Sequence, residues 1–285
     1  MSYIENILEE RGLLGEISKA DLEEYNSLIM QVDTSIDINS VILSEENKSK
    51  LKEFLNEQDN RERLIKYNLY PMNRLLFYGA SGTGKTFLTK ALSNYMGYTM
   101  LYIDIAKSLS DNTVALNISN IFKLASILKN CIIFLDEADS IAWNRDSNNT
   151  DSGTIRRATN SLFQHLDQMD SSNVFISATN MLHRLDLAFE RRFDMKFEFR
   201  QPDNVETAII KFLHKEFILK EDISKDKKDI ILRRVQDSIK LSYYEIQCIV
   251  ERAMKKAILN NTLEVKASDI YNDLARTERI RIYID

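Results

Sequence analysis

The residues with the clearest chemical pattern form a run of small, hydroxylated and basic side chains in the first third of the chain. The run is Gly79-Ala80-Ser81-Gly82-Thr83-Gly84-Lys85-Thr86. Its glycines let successive backbone N–H groups point inward at phosphate oxygens, which a Cβ would obstruct. The spacing G-x-x-x-x-G-K-[ST] is that of a phosphate-binding loop, in which Lys85 contacts the β- and γ-phosphates and Thr86 ligates Mg²⁺. We therefore predict that this run binds a nucleotide.

Two acidic residues, Asp136 and Glu137, directly follow five apolar residues. The run Cys131–Leu135 is typical of a strand buried on both faces of a parallel sheet. Open α/β sheets bind ligands at the carboxyl ends of their strands, and acids placed there without a ligand would cost free energy. A pair of acids that merely ends a strand is the alternative. We assign Asp136 to the magnesium shell and Glu137 to the general base that polarises the attacking water.

Three further polar residues are candidates for the same reaction. Asn180 ends another strand-like run, and its amide can orient the attacking water. Arg191 and Arg192 are adjacent, and a solvated charged turn is the plain interpretation of such a pair. Arginine delivered to a γ-phosphate from outside the pocket, however, accelerates phosphoryl transfer by ~10³-fold or more. Both arginines are therefore included among the catalytic candidates.

The hydrophobic pattern supplies the elements that must position these residues. Apolar residues at helical spacing follow the phosphate loop, so bound phosphates would face the positive end of a helix. Between residues 72 and 200, strand-like runs alternate with helical patterns, which is typical of an α/β fold with a doubly wound parallel sheet. Beyond Pro202 the pattern is helical, apart from Ile280, Ile282 and Ile284, whose alternation predicts a short terminal strand.

The same pattern divides the chain into three parts. We expect an N-terminal helical extension at residues 1–40, an α/β nucleotide-binding domain at 41–202 and a small helical domain at 203–285. Gly12 and Gly15 separate the extension into two short helices. The simpler interpretation is that these helices pack on the next domain, and the alternative is that they dock a partner.

The composition restricts the class of function. A net charge of −5 offers no general attraction to nucleic acid or to an anionic membrane. The two cysteines and three histidines have no metal-ligand spacing, so no zinc site is predicted. We expect reduced cysteines, and we find no signal-peptide core or apolar run long enough to span a bilayer. These features predict a cytoplasmic protein without membrane partners.

The motifs together resemble the AAA family of ATPases. The likeness covers about residues 41–270 and includes that family's phosphate loop, acidic magnesium strand, polar sensor strand and second region of homology. The residues that show it, beyond the loop, are Ile132-Ile133-Phe134-Leu135-Asp136-Glu137-Ala138-Asp139-Ser140-Ile141-Ala142, Ser177-Ala178-Thr179-Asn180, Leu185-Asp186-Leu187-Ala188 and Arg191-Arg192-Phe193-Asp194. Several motifs in the family's order are more specific than any one of them.

The resemblance implies a fold and an assembly. The fold would be a five-stranded parallel core followed by a helical lid domain, and ATP would bind at a subunit boundary in a ring, usually a hexamer, of a small single-ring bacterial type. Arg191 and Arg192 would reach the γ-phosphate of the neighbouring subunit, with Arg192 at the family's more constant position. Val41 and Ile42 match the segment that contacts adenine. Tyr244 stands where the lid helix carries a motif close to the nucleotide.

The chain also departs from the family's pattern. Ala80 and Ser81 replace prolines that stiffen the loop, which is a minor change. Met195 stands where many members have a further arginine. Unfoldases of the family present an aromatic–aliphatic–glycine tripeptide to the ring pore, whereas this chain has Ser110-Asp111-Asn112 by alignment. Threading of polypeptide by an aromatic side chain is therefore not expected.

These features favour one function and leave others open. The leading interpretation is an ATPase ring that uses hydrolysis to remodel or regulate a partner protein. A nucleotide-dependent scaffold that recruits an effector is one alternative, which the missing pore aromatic favours over threading. A nucleic-acid loader ATPase is another, disfavoured by the acidic net charge. A metabolite kinase is least favoured, because it would not need Glu137, Asn180 and the arginine pair.

Overall fold

The computed structural model describes residues 2–28, 33–103, 113–141, 152–235 and 240–281. The chain divides into two compact units. The first contains the residues up to Gly79 together with Lys85–Glu198, and the second contains Ala80–Gly84 together with the residues from Phe199 onward. The segment Ser110-Asp111-Asn112, which the sequence aligns with the tripeptide discussed above, lies outside the described residues.

The first unit is built on a five-stranded sheet. Its strands are β1 (Arg74–Gly79), β2 (Thr99–Ile103), β3 (Cys131–Leu135), β4 (Val174–Thr179) and β5 (Met195–Phe199). Their order is β2-β3-β4-β1-β5, and the β2–β3, β3–β4 and β4–β1 pairs are parallel. Every residue of β3 and β4 is buried, as expected for central strands covered on both faces. The predicted parallel sheet and its five strands are confirmed.

Helices α1 to α8 flank this sheet or connect its strands. Their bounds are α1 (Tyr3–Glu10), α2 (Lys19–Leu28), α3 (Glu45–Asp59), α4 (Arg61–Lys66), α5 (Lys85–Met96), α6 (Val114–Leu128), α7 (Ser152–Asp167) and α8 (Leu187–Glu190). α5 begins at Lys85, so the phosphate-loop run passes directly into a helix. The chain therefore provides the strand–loop–helix context that the loop motif requires.

The N-terminal helices pack on the core of the first unit. Tyr25 of α2 and apolar residues of α1 are buried together with α6. Arg11 Nη1 donates 2.7 Å hydrogen bonds to the carbonyls of Leu128 and Lys129, and its Nη2 donates at 2.7 Å to Thr99 Oγ1. A guanidinium at the end of a helix satisfies carbonyls that have no partner within the helix. This packing corresponds to the simpler interpretation of the N-terminal pattern.

The second unit is mainly helical. Its elements after residue 199 are α9 (Val205–Phe212), β6 (Ile218–Lys220), α10 (Lys225–Arg234), α11 (Tyr243–Leu259), β7 (Glu264–Lys266) and α12 (Ala267–Arg281). β6 and β7 pair in parallel. Lys228 of α10 lies 2.6 Å from a carboxylate oxygen of Glu206 and 3.2 Å from one of Glu221, and above the ring of Tyr271. Among the described helices of the chain, none combines the length and apolar character needed to cross a bilayer.

Two expectations for this unit need correction. The purely helical pattern missed β6 and β7, because each has three residues and too few positions to show an alternation. The prediction of a short terminal strand was also wrong at Ile280, because this residue lies within α12. No glycine or proline interrupts the chain after Leu274, so the helix that buries Ile270 and Leu274 continues past that point. Ile282 and Ile284 lie outside the described residues.

Candidate functional site

Lys85 places a cation at the carboxyl edge of the sheet. Its Nζ donates to Gly79 O, at the end of β1, and to Asn180 Oδ1, directly after β4, both at 2.7 Å. Only 7% of Lys85 is exposed. Burial lowers the pKa of the Lys85 ammonium, whereas the charges of Asp136 and Asp139 act to raise it. A partly desolvated cation at this edge attracts an anionic ligand strongly, because solvent screens it less than a surface charge.

Thr86 and Asp136 supply oxygen ligands beside this cation. Thr86 Oγ1 donates to Asp136 Oδ2 at 3.1 Å, and Asp136 Oδ1 accepts from Glu137 N at 2.9 Å. Hydroxyl and carboxylate oxygens are the ligands that Mg²⁺ prefers, and a pair of them leaves positions for water and phosphate. The two side chains offer neither sulfur nor imidazole, which would favour a softer metal. Their chemistry therefore fits the predicted magnesium ion.

Glu137 follows in an unusual backbone conformation. Its φ of 52° and ψ of 45° place it in the left-handed region, which non-glycine residues seldom adopt. The turn is closed by Ser140, whose backbone N and Oγ donate to Glu137 O at 2.9 and 2.7 Å. The Glu137 side chain is exposed, and it has no hydrogen-bond partner among the residues that the structure describes. Its carboxylate is thus available to accept a proton from water.

Asn180 is linked to both Lys85 and the acidic turn. Its Oδ1 accepts from Lys85, and the preceding Thr179 Oγ1 donates to Asp139 Oδ1 at 2.7 Å. Asp139 and Thr179 were not predicted as site residues from the sequence. Asp139 places a carboxylate shortly after β3, and Thr179 places a hydroxyl at the end of β4. These two strands are neighbours in the sheet, which brings the two groups together. Strand adjacency is a property of the folded sheet and not of either motif.

The central residues of the phosphate loop lie in the second unit. Thr83 Oγ1 donates to Ala80 O at 2.7 Å, and Gly82 O accepts from Tyr244 N, at the start of α11, at 3.1 Å. Gly82 has a φ of +71°, and a Cβ there would lie 2.8 Å from Ser242 Oγ. Glycine is therefore required at this position by both conformation and space. Tyr244 contacts the loop through its backbone N–H, and the residue is 65% exposed.

The two arginines have different surroundings. Arg192 Nε and Nη2 donate to the two carboxylate oxygens of Asp167 at 2.9 and 3.0 Å, and Nη1 donates to Ala188 O at 2.7 Å. The guanidinium carbon lies 4.2 Å from the ring centroid of Phe163. Arg191 caps the end of α8, and its side chain is exposed with no polar partner among the described residues. Within this chain, Arg192 is bound by Asp167 and the Arg191 side chain is available.

The residues predicted to contact adenine lie on the approach to α3. Val41 and Ile42 follow a short turn at Ile38–Ser40 and are partly exposed. The segment just before them contacts α5, because Asn94 Nδ2 donates to Ile36 O at 3.1 Å. This places the segment beside the helix that begins at Lys85. Contact with adenine itself stays a prediction.

Comparison with known proteins decides the family. The sequence model of the ATPase family associated with various cellular activities (AAA) matches residues 75–201, which extend from β1 to just past β5. The chain belongs to the AAA family of ATPases. As a member of this family it hydrolyses ATP. The resemblance seen in the motifs is thereby confirmed.

Three AAA relatives show how far the likeness extends. An uncharacterized AAA family ATPase of Sinorhizobium fredii is 26% identical over 265 residues, which cover 91% of this chain and 76% of the relative. The 26S proteasome regulatory subunit 6B homolog of Dictyostelium discoideum is 31% identical over 237 residues, covering 75% of this chain and 56% of that protein. The ATP-dependent zinc metalloprotease FtsH 1 of Alkaliphilus metalliredigens is 31% identical over 184 residues, covering 61% and 30%. The chain thus spans only part of the last two AAA proteins.

Proposed function

We propose that this AAA ATPase forms an oligomeric ring, most simply a hexamer, and couples Mg²⁺-dependent ATP hydrolysis to remodelling or regulation of a partner protein. One observation supports the chemistry above all others. The ammonium of Lys85, bound to Asn180, and the Thr86–Asp136 oxygen pair occur together at the carboxyl edge of one sheet. These residues are far apart in the sequence and follow β1, β3 and β4. The order of the strands in the sheet brings them together, whereas independent surface charges would be scattered.

Each residue of the cluster has a distinct task in the proposed reaction. Lys85 binds the β- and γ-phosphates, and Thr86 and Asp136 hold the magnesium ion, which neutralises phosphate charge when bound. Asn180 orients the attacking water through its amide. Glu137 accepts a proton from that water while the water oxygen forms a bond to the γ-phosphorus. The bond between the γ-phosphorus and the leaving ADP oxygen breaks in the same step. The products are ADP and inorganic phosphate.

Arginine from a neighbouring subunit completes this pocket in the proposal. A positive charge near the γ-phosphate stabilises the charge that develops during transfer. Arg191 is exposed and available for such a contact as the chain stands. Arg192 would first have to exchange Asp167 for phosphate. We keep both arginines in the catalytic set, and Arg191 needs the smaller rearrangement.

The proposed partner is a protein. Two relatives have names that join this type of ATPase to proteolysis, a 26S proteasome regulatory subunit and a zinc metalloprotease. A net charge of −5 disfavours a nucleic-acid partner. Cys131 is buried and Cys248 half-buried, both as free thiols, which supports the proposed location in the reducing cytoplasm. Because Ser110-Asp111-Asn112 contains no aromatic residue, we retain recruitment of an effector in the ATP state as a second function.

The variant Glu137→Gln tests assembly and function together. It should retain ATP binding but lose about 10²- to 10⁴-fold in turnover, because it lacks a general base. With ATP, it should therefore accumulate as a loaded ring, whose mass can be measured by native mass spectrometry, and should retain a bound partner. The exposed Glu62→Gln is the matched control and should behave as the wild type. Undiminished turnover of Glu137→Gln, or a monomer at saturating ATP, would contradict the proposal.

A further inference from the structure

A single hydroxyl joins the two strand ends that carry the proposed base and the proposed water-orienting amide. Thr179, the last residue of β4, is 1% exposed. Its Oγ1 donates to Asp139 Oδ1 at 2.7 Å and accepts from Met181 N at 3.0 Å. A hydroxyl can do both at once, because it has one proton and two lone pairs. The Thr179 hydroxyl thus donates its proton to Asp139 in the acidic turn and accepts a hydrogen bond from Met181, just after its own strand.

These bonds surround Asn180 on both sides. Thr179 precedes Asn180 and Met181 follows it. The backbone N–H of Met181 donates to the Thr179 hydroxyl, so this bond spans Asn180. The chain at Asn180 is therefore held in a closed turn instead of a free strand end. The bond to Asp139 then attaches that turn to the segment after β3.

The hydrogen bond between Thr179 and Asp139 also holds the turn that follows Glu137. Asp139 lies two residues after Glu137, inside the short turn Ala138–Ser140 that Ser140 closes onto Glu137 O. Glu137 keeps a left-handed conformation that carries a conformational cost, so its surroundings must maintain it. Because Thr179 is buried in a central strand, it gives this turn a rigid anchor.

We propose that Asp139 and Thr179 are positioning residues for ATP hydrolysis, whose hydrogen bond fixes the separation of Glu137 and Asn180 around the attacking water. This inference rests on the roles proposed above for Glu137 and Asn180. Neither Asp139 nor Thr179 touches the reacting atoms in this scheme. Their contribution is geometric, and it appears in kcat while the affinity for nucleotide is retained.

Paired substitutions test the bond. Thr179→Val removes the hydroxyl at constant volume, and it should lower kcat by about 10- to 100-fold, the effect of a small misplacement of catalytic groups. Thr179→Ser restores the hydroxyl and should recover most of the activity. On the other partner, Asp139→Ala should resemble Thr179→Val, whereas Asp139→Asn, which keeps an acceptor, should be close to wild type. In all four variants the Kd of a fluorescent ADP analogue should stay within about twofold, since binding precedes positioning.

Thr99→Val is the matched control. Thr99 also lies in a strand of the sheet, and its hydroxyl also makes one hydrogen bond to another side chain, that of Arg11, but at the amino end of β2. Its kcat should not change. The double variant Thr179→Val/Asp139→Ala should be no slower than the slower of the two single variants, because Asp139→Ala removes a bond that Thr179→Val has already removed.

Several results would overturn the inference. These are a wild-type kcat in Thr179→Val and Asp139→Ala, multiplicative losses in the double variant, or a loss of nucleotide affinity in place of kcat. If Thr179→Val fails to fold, the comparison of Asp139→Ala with Asp139→Asn decides, because Asp139 is partly exposed. An inactive Glu137→Gln together with a fully active Asp139→Ala refutes only this inference. A fully active Glu137→Gln refutes the proposed function on which it rests.

Discussion

The guanidinium of Arg192 donates two hydrogen bonds to the carboxylate of Asp167 in the same chain. Nε lies 2.9 Å from Oδ1, and Nη2 lies 3.0 Å from Oδ2. The Arg192 side chain is 25% exposed and that of Asp167 is 53% exposed, so the pair is worth about 1 kcal/mol or less. A phosphate carries more negative charge than one carboxylate and offers the same two-point geometry. In the proposed ring, the pair therefore orients Arg192 at rest without preventing its transfer to a neighbour's phosphate.

Arg191→Ala should separate catalysis from stability. Because the Arg191 side chain is exposed and makes no polar contact with the described residues, its loss should leave the thermal midpoint unchanged. Turnover should fall by about 10³-fold if this guanidinium acts on a neighbour's γ-phosphate. Steady-state phosphate release and differential scanning fluorimetry measure the two quantities. Normal turnover would remove Arg191 from the catalytic set.

Arg192→Ala should lower both the turnover and the stability of the protein. It removes the Asp167 pair and the contact with the ring of Phe163, so the free energy of unfolding should fall by roughly 1 kcal/mol. Asp167→Ala should be destabilising by the same amount or less, and the double variant should be no less stable than Arg192→Ala alone. Chemical denaturation of the three variants measures this. Additive losses would mean that the two side chains stabilise the fold independently.

Gly82→Ala should damage the phosphate loop more than a comparable change elsewhere. Gly12 is the matched control, because its φ is +69° and a Cβ there would meet nothing within 4 Å. Gly12→Ala should lower the thermal midpoint by about 2–4 °C, the cost of a left-handed alanine alone, and leave nucleotide affinity intact. At Gly82 the Cβ would also lie 2.8 Å from Ser242 Oγ, so we expect a larger loss of stability and weaker nucleotide binding. Equal effects of the two changes would contradict this reasoning.

Asp170 should make stability depend on pH in the acidic range. A hydrogen bond from Lys129, helped by the backbone N–H of Ser172, lowers the pKa of Asp170 from 3.8 to about 2. A carboxyl with a lowered pKa stabilises the folded state above its unfolded pKa, and that contribution disappears as the pH falls from 3.8 towards 2.

The variant Asp170→Asn tests this dependence. It should be less stable than the wild type at pH 7, by roughly 1 kcal/mol or less since the pair is partly solvent-screened. The difference should shrink below pH 4. Denaturation curves at several pH values measure it. In a Lys129→Met background the difference should be smaller at every pH, and a constant difference would contradict the assignment.

Residues that directly follow strands were predictable from the sequence. The apolar run Cys131–Leu135 indicated a strand buried on both faces, and this placed Asp136 and Glu137 at the edge where ligands bind. Asn180 was placed in the same way by β4. In a parallel sheet all carboxyl ends share one edge, so separate local patterns were enough to bring these groups together.

Pairings between side chains were not predictable in this way. Arg192 meets Asp167 because the end of α7 packs near α8, and no local pattern connects the two residues. Thr179 meets Asp139 because β3 and β4 are neighbours in the sheet. Such contacts depend on packing between elements. The left-handed backbone at Glu137 likewise had no signal, since the residue type does not favour it.

Mixing two inactive variants tests most directly whether ATP is cleaved in a pocket shared by two subunits. One variant carries Lys85→Ala, and the other carries Arg191→Ala with Arg192→Ala. Each should be inactive alone. In a random equimolar ring, about one interface in four joins an intact Lys85 to an intact arginine pair, so roughly a quarter of wild-type phosphate release should return. Native mass spectrometry should first establish that mixed rings form, and mixed rings without recovered turnover would contradict a shared pocket.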